Sequence, residues 1–160
     1  MLTISTESPT SPDGRALIAG SQLALLQAFP PEDIFTLDPE ELAIPSIRFY
    51  VARDAGVALG CVALMACDGY GEVKRLFVTD AGRGKGIARA LMAALEADAR
   101  RSGLPWVRLE TGNPLVAAVA LYRALGYRVC GPFGDYPEHP ASLFMEKPLI
   151  PETPAQEPLT

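Results

Sequence analysis

Apolar and polar positions along the chain switch between a helical and a strand period. Residues 16–29 carry Leu17, Ile18, Leu23, Leu25, Leu26 and Phe29, a broad apolar face that predicts a first helix. Pro30-Pro31 ends it. A short second helix is expected over residues 39–43, with Asp38 as its cap. Residues 47–53 (IRFYVAR) and 58–67 (ALGCVALMAC) read as a hairpin turning at Asp54-Ala55-Gly56, and 72–79 (EVKRLFVT) as the next strand. The longest helix is expected over 84–102, where Ile87, Leu91, Ala94, Leu95 and Asp98 repeat on an inner face that is apolar until its last member. Gly103 stops it. Residues 106–111 (WVRLET) return to a strand. Asn113-Pro114 offers an N-cap followed by proline at the first helical position, for a helix running to Leu125 and ended by Gly126. Residues 127–130 and 143–147 close the pattern as strands. The order βα(α)βββαβαββ predicts an α/β protein with a mixed sheet and helices on both faces.

Composition narrows the class. A chain of 160 residues with 49% hydrophobic and 21% charged residues suits one folded domain rather than a disordered or fibrous chain. A single domain is expected over 1–150. The stretch from Ser5 to Asp13, rich in Ser, Thr and Pro, reads as a loose end, and the polar 151–160, with three prolines, as a disordered tail. No apolar run approaches the ~20 residues that span a bilayer, and the first residues lack a basic-then-apolar leader. With that, Cys61, Cys67 and Cys130 read as reduced core thiols in a cytoplasmic protein.

Net charge is −5, which argues against nucleic acid or an anionic membrane as partner. The charge is uneven. From Glu72 to Arg101 there are seven basic residues against four acids, a local excess that suits a small polyanion. Within that stretch a strand runs into Gly82-Arg83-Gly84-Lys85-Gly86 and then into the longest helix. Helix N-termini present unpaired N–H groups and partial positive charge, and glycines let a phosphate approach the backbone. No P-loop pattern exists, and the dinucleotide fingerprint fails because Arg89 stands where its third glycine belongs.

Arg83-x-x-Gly86-x-Ala88, between KRLFV and a long helix and followed by ALYRALGY, resembles the acetyl-coenzyme A loop of the GCN5-related N-acetyltransferases (GNAT). The resemblance covers roughly residues 47–147. It implies the acyl-CoA N-acyltransferase fold: a six- or seven-stranded, mostly antiparallel sheet flanked by helices and splayed between strands 72–79 and 106–111, where the coenzyme enters. It also implies acetyl-CoA as co-substrate. Leu76, Phe77 and Val78 would pair with the pantetheine arm, and a backbone N–H on that strand would polarise the thioester carbonyl. The N–H groups of Arg83, Gly84, Lys85, Gly86, Ile87 and Ala88 would hold the pyrophosphate.

Tyr122 stands where relatives place the tyrosine that protonates the departing thiolate, and Glu72 matches a glutamate that some members use as general base. Relatives carry N-x-x-A-x-x-x-Y, but here Ala118 is preceded by Leu115 in the asparagine's place, so Asn113 reads as a helix cap. Asp135, Tyr136 and Glu138, in the loop before the last strand, are expected to line the acceptor pocket. His139, the one histidine, reads as a surface loop residue, and no metal site is expected. The expected activity is acetyl transfer to a primary amine of a small molecule, by direct attack in a ternary complex. A non-catalytic acyl-CoA-binding regulatory module and a protein or peptide N-acetyltransferase are the alternatives. A homodimer is among the assemblies the resemblance allows.

Overall fold

Successive side chains of a strand point to opposite faces of its sheet, and that parity divides this core in two. The computed structural model describes residues 1–34 and 36–149. The elements run β1 (Leu2–Thr6), α1 (Pro12–Ala28), α2 (Pro39–Leu42), β2 (Ile47–Asp54), β3 (Val57–Cys67), β4 (Tyr70–Val78), α3 (Ile87–Arg101), β5 (Trp106–Gly112), α4 (Val116–Ala124), β6 (Arg128–Cys130) and β7 (Ser142–Pro148). Phe49 and Val51 of β2 join Cys61 and Ala63 of β3 beneath Leu17 and Ile18 of α1 and Leu42 of α2. The alternate residues, Tyr50 and Ala52 with Val62 and Leu64, meet Ile87, Leu91, Met92, Leu95 and Ala99 of α3 and Tyr122 of α4 on the other face. The stripe read as the inner face of the longest helix is thus the one buried. Its polar last member, Asp98, accepts a 2.6 Å hydrogen bond from the Tyr50 hydroxyl.

The strands form one seven-stranded sheet in the order β1-β2-β3-β4-β5-β7-β6. Every neighbouring pair is antiparallel except β4 and β5, which run parallel. The mixed, mostly antiparallel sheet flanked by helices is therefore as expected. The expected tail, 151–160, lies outside the described residues. Among the described residues no helix is long and apolar enough to cross a membrane.

The start of the chain departs from the sequence reading. Ser5 and Thr6 are not loose but end β1, which pairs along its whole length with β2, from Leu2 opposite Asp54 to Thr6 opposite Tyr50. The Arg53 guanidinium then grips Glu7 at 2.9 and 2.7 Å and Asp13 at 2.9 Å. Ser11 caps α1 by accepting from the Gly14 N–H at 3.0 Å. Only Leu2 and Ile4 of β1 pack on the core, so an edge strand this short carries almost no apolar signal.

α2 forms as expected, with Asp38 and Glu41 making a reciprocal capping box. Asn113 does not cap α4. The N-cap position is Leu115, with no side-chain bond, and the Asn113 amide instead donates to the Pro140 carbonyl at 3.3 Å. It ties the end of β5 to the loop that enters β7.

Candidate active site

A bulge and a short ladder open the sheet at its centre. Against β3, the register of β4 shifts between Lys74 and Phe77, and Arg75 takes a left-handed backbone with φ +58°, a conformation costly for any residue but glycine. The Arg75 carbonyl accepts from the buried Cys61 thiol, Sγ to O 3.4 Å. Burial pushes that thiol up to about 12, so it is a packing group and a weak donor. Against β5, pairing covers only Gly71 to Val73 opposite Val107 to Leu109. Beyond Val73 the two strands have no shared ladder, and the splay falls between the two strands the sequence named.

A cavity of about 240 Å³ fills the splay, walled by Leu76 and Phe77 of β4, Glu110 and Gly112 of β5, Tyr122 of α4, Tyr136, and Phe29, Ile34 and Leu37 beyond α1. Gly112 is needed for this shape: a Cβ there would run into the Phe29 ring. A second cavity, about 270 Å³, lies at the mouth of α3 against Val78, Arg83, Gly84, Gly86, Ile87, Ala88 and Leu121. Gly84 (φ +76°) and Gly86 (φ +72°) are left-handed. Gly86 is the N-cap of α3 and offers no side-chain bond, so the first-turn N–H groups keep the anion-binding character of an open helix end.

Of the residues named from the sequence, Leu76, Phe77 and Tyr122 wall the first cavity, and Val78, Arg83, Gly84, Gly86, Ile87 and Ala88 the second. Lys85 is exposed and lines neither. Glu72 is 3% exposed and lies behind the wall. One of its oxygens accepts from the Tyr136 hydroxyl at 2.6 Å and from Lys74 Nζ at 2.8 Å. Tyr136 reaches the cavity as expected, whereas Asp135 and Glu138 are exposed and do not. His139 Nε2 stands 3.1 Å from Asp33. Among the described residues no group of His, Cys, Asp and Glu is placed to hold a metal ion.

The sequence reading missed Glu110. It lines the first cavity together with Tyr122, and its Oε2 is buried with no hydrogen-bond partner among the described residues. Burial, and then the negative charge of Glu72, push its carboxyl up to about 7. Tyr122 is 6% exposed. Burial, and then the charge of Glu110, raise its phenol well above the ordinary value, so it stays a neutral O–H donor. The only hint of Glu110 in the sequence is a carboxylate at the end of a strand, WVRLE, which reads equally well as solvated.

Comparison with known proteins agrees with this architecture. Residues 45–129 match the model of the acetyltransferase (GNAT) domain. The IAA acetyltransferase of Azospirillum brasilense is 45% identical over 150 residues, covering 92% of this chain and 98% of that protein. The crystal structure of an acyl-CoA N-acyltransferase from Klebsiella pneumoniae superposes with a TM-score of 0.79 at 36% identity, covering 94% of this chain and 99% of that one. At 16% identity and TM-score 0.72, the PaiA N-acetyltransferase of Thermoplasma acidophilum, solved in complex with coenzyme A, shares the fold over 92% of this chain and 99% of its own. Sheet, splay and glycine loop are those of an acyl-CoA-dependent acyltransferase. The chain belongs to the GCN5-related N-acetyltransferase family.

That fold uses acetyl-CoA, and the residues here fit it. A Cβ built on Gly84 or Gly86 would meet no atom within 4 Å, so the cradle beside them is open. Arg83 and Arg89 line it and bring positive charge.

Proposed function

We propose that this enzyme moves the acetyl group of acetyl-CoA to a primary amine of a small molecule, by direct attack with both substrates bound. The observation that carries this reading is that Glu110 and Tyr122 line one cavity: a carboxyl pushed up to about 7 and a phenol held neutral by burial. Two titratable groups with such separated affinities for a proton are suited to act as base and acid. Acetyl-CoA, when bound, supplies the acetyl group as a thioester, whose C–S bond breaks as the new C–N bond forms. Glu110 takes the proton that the attacking nitrogen must lose, and Tyr122 gives its hydroxyl proton to the departing sulfur. Open main-chain groups of β4 beyond Val73 align the pantetheine arm and polarise the carbonyl. The loop from Arg83 to Ala88 holds the pyrophosphate.

The geometry favours Glu110 over Glu72 as base. Glu72 spends its carboxylate on Lys74 and Tyr136, and its charge serves to raise Glu110. The size of the cavity supports a small acceptor, since it falls below the roughly 300–1,000 Å³ of pockets that take drug-sized ligands. The Azospirillum relative, an IAA acetyltransferase, is in keeping with that. A thiol-release assay with acetyl-CoA and a panel of amino acids, polyamines, aminoglycosides and peptides tests the proposal. Release of free coenzyme with small amines supports it. Turnover with peptides alone, or with nothing despite acetyl-CoA binding, overturns it.

A further inference from the structure

Four charged side chains wall the acceptor cavity: Asp33, Lys74, Arg75 and Glu110. Asp33 faces His139 at 3.1 Å and Lys74 faces Glu72 at 2.8 Å. That leaves Arg75 and Glu110, which are not ion-paired with each other among the described residues. Arg75 donates from Nε and Nη2 to the Leu37 carbonyl at 3.1 and 3.0 Å, and from Nη1 to the buried Ser21 hydroxyl at 3.4 Å. All its partners are neutral. These bonds use three of the five N–H groups of a guanidinium, and two are left. The carboxylate of Asp38 attracts it from a distance but is committed to the Glu41 N–H at the start of α2. Burial holds the guanidinium below its ordinary value, and arginine stays charged even so. The cavity therefore has a permanent cation with spare donors that no carboxylate among the described residues contacts. A half-buried charge in that state gains when an anion joins it.

We propose that Arg75 binds a carboxylate of the acceptor, so that the acceptor carries its amine and a carboxylate on one small molecule with an apolar body, as an apolar amino acid does. The inference rests on the reading of the cavity as the acceptor site. The fork geometry of Arg75 suits a carboxylate, and the amine is left to face Glu110. Leu25, Phe29, Ile34 and Leu37 offer the apolar surface. Arg75 sets specificity here and takes no part in the chemistry of transfer.

The test compares L-phenylalanine and L-leucine with their amides and with 2-phenylethylamine, which keep the amine and lose the carboxylate. For the unaltered protein with acetyl-CoA, the free acids are expected to exceed the amides about 100-fold in kcat/KM. Arg75→Met should collapse that acid-to-amide ratio towards one, and Arg75→Lys should lower it partway. Equal or better turnover of the amides by the unaltered protein overturns the proposal. So does an Arg75→Met variant that slows acids and amides by the same factor, because that is the signature of a residue that only latches Leu37 to α1. If Arg75→Met fails to fold, the acid-to-amide ratio of the unaltered protein still decides. If no acceptor releases thiol, acetyl transfer to small amines is what has failed. Calorimetry of L-phenylalanine and its amide on the coenzyme A-loaded protein then reads the carboxylate directly: preference for the acid sustains the proposal, and no preference ends it.

Discussion

The Tyr136 hydroxyl stands 2.6 Å from a carboxylate oxygen of Glu72. That contact, with Lys74 on the same oxygen, fixes one of two neighbouring glutamates in place behind the cavity wall. The other, Glu110, keeps an unpartnered oxygen and feels the charge of its neighbour.

The two glutamates are therefore separable by pH. With Glu110 as base, activity should rise with pH through about 7, since only the ionised carboxylate accepts a proton. Glu110→Gln should remove that limb and lower kcat roughly 100-fold or more. Glu72→Gln removes a negative charge and leaves Lys74 without its partner, and both changes favour ionisation of Glu110. Its profile should keep the limb and move it to lower pH. Rate profiles of kcat/KM for the two variants check this. A limb that vanishes in Glu72→Gln and survives in Glu110→Gln would reverse the assignment.

Tyr122→Phe keeps the ring against Tyr127, whose centroid lies 5.8 Å away, and deletes only the donor. Turnover should fall about 100-fold, with the dissociation constant for coenzyme A nearly unchanged. Single-turnover kinetics alongside calorimetry separate the two effects. Wild-type turnover would remove Tyr122 from the mechanism.

Gly86→Asp places a carboxylate where the diphosphate should lie. The position is left-handed, φ +72°, and Asp is one of the few residues that visit this region, so the backbone cost stays near 1 kcal/mol. No atom lies within 4 Å of the added Cβ. The fold should survive and coenzyme affinity should be lost, as measured by circular dichroism and calorimetry together.

Legibility tracked how each residue does its work. The glycine loop at the mouth of α3 was legible because its signal is the spacing of residues adjacent in sequence, Arg83, Gly86 and Ala88. Tyr122 could be placed because ALYRALGY resembles the family's motif, with Gly126 ending the helix that carries it. The splay followed from a resemblance, not from periodicity, because strands that separate look like strands that pair. Glu110 was invisible for a physical reason: a strand-end carboxylate becomes a base only when burial and a like charge raise it, and both come from tertiary packing. Asn113 looked like a cap because local rules favour it there, but its amide is taken by Pro140, a partner 27 positions on. β1 headed the expected order, but its residues could not be assigned, because its pairing with β2, and not its own composition, orders it.

Lys147 gives a stability prediction independent of the active site. Its ammonium lies 2.7 Å from Glu96, a carboxylate only 5% exposed. The Tyr127 hydroxyl donates to the other oxygen of Glu96 at 3.0 Å, and Arg100 approaches to 3.6 Å. Lys147→Met removes the nearest cation and leaves the charge buried, which should cost about 3 kcal/mol. Urea denaturation of the two proteins checks it. A loss below experimental error would show that Tyr127 and Arg100 satisfy Glu96 without Lys147.

Glu110 should also cost stability, in a defined pH window. In the unfolded chain it ionises near its ordinary 4.5, and in the fold at about 7. Below 4.5 both states hold the proton and the side chain is neutral to folding. Between those values the unfolded chain releases its proton while the fold retains it, so stability falls as pH rises. Above about 7 both states are ionised and the loss is complete. Glu110→Gln cannot ionise and escapes it. The variant should match the unaltered protein near pH 4, gain on it through pH 7, and lead by roughly 3 kcal/mol at pH 8. Denaturation midpoints measured across that range give the answer. A difference independent of pH would mean that Glu110 ionises like an exposed carboxylate, and its role as a base poised near neutrality would fall with it.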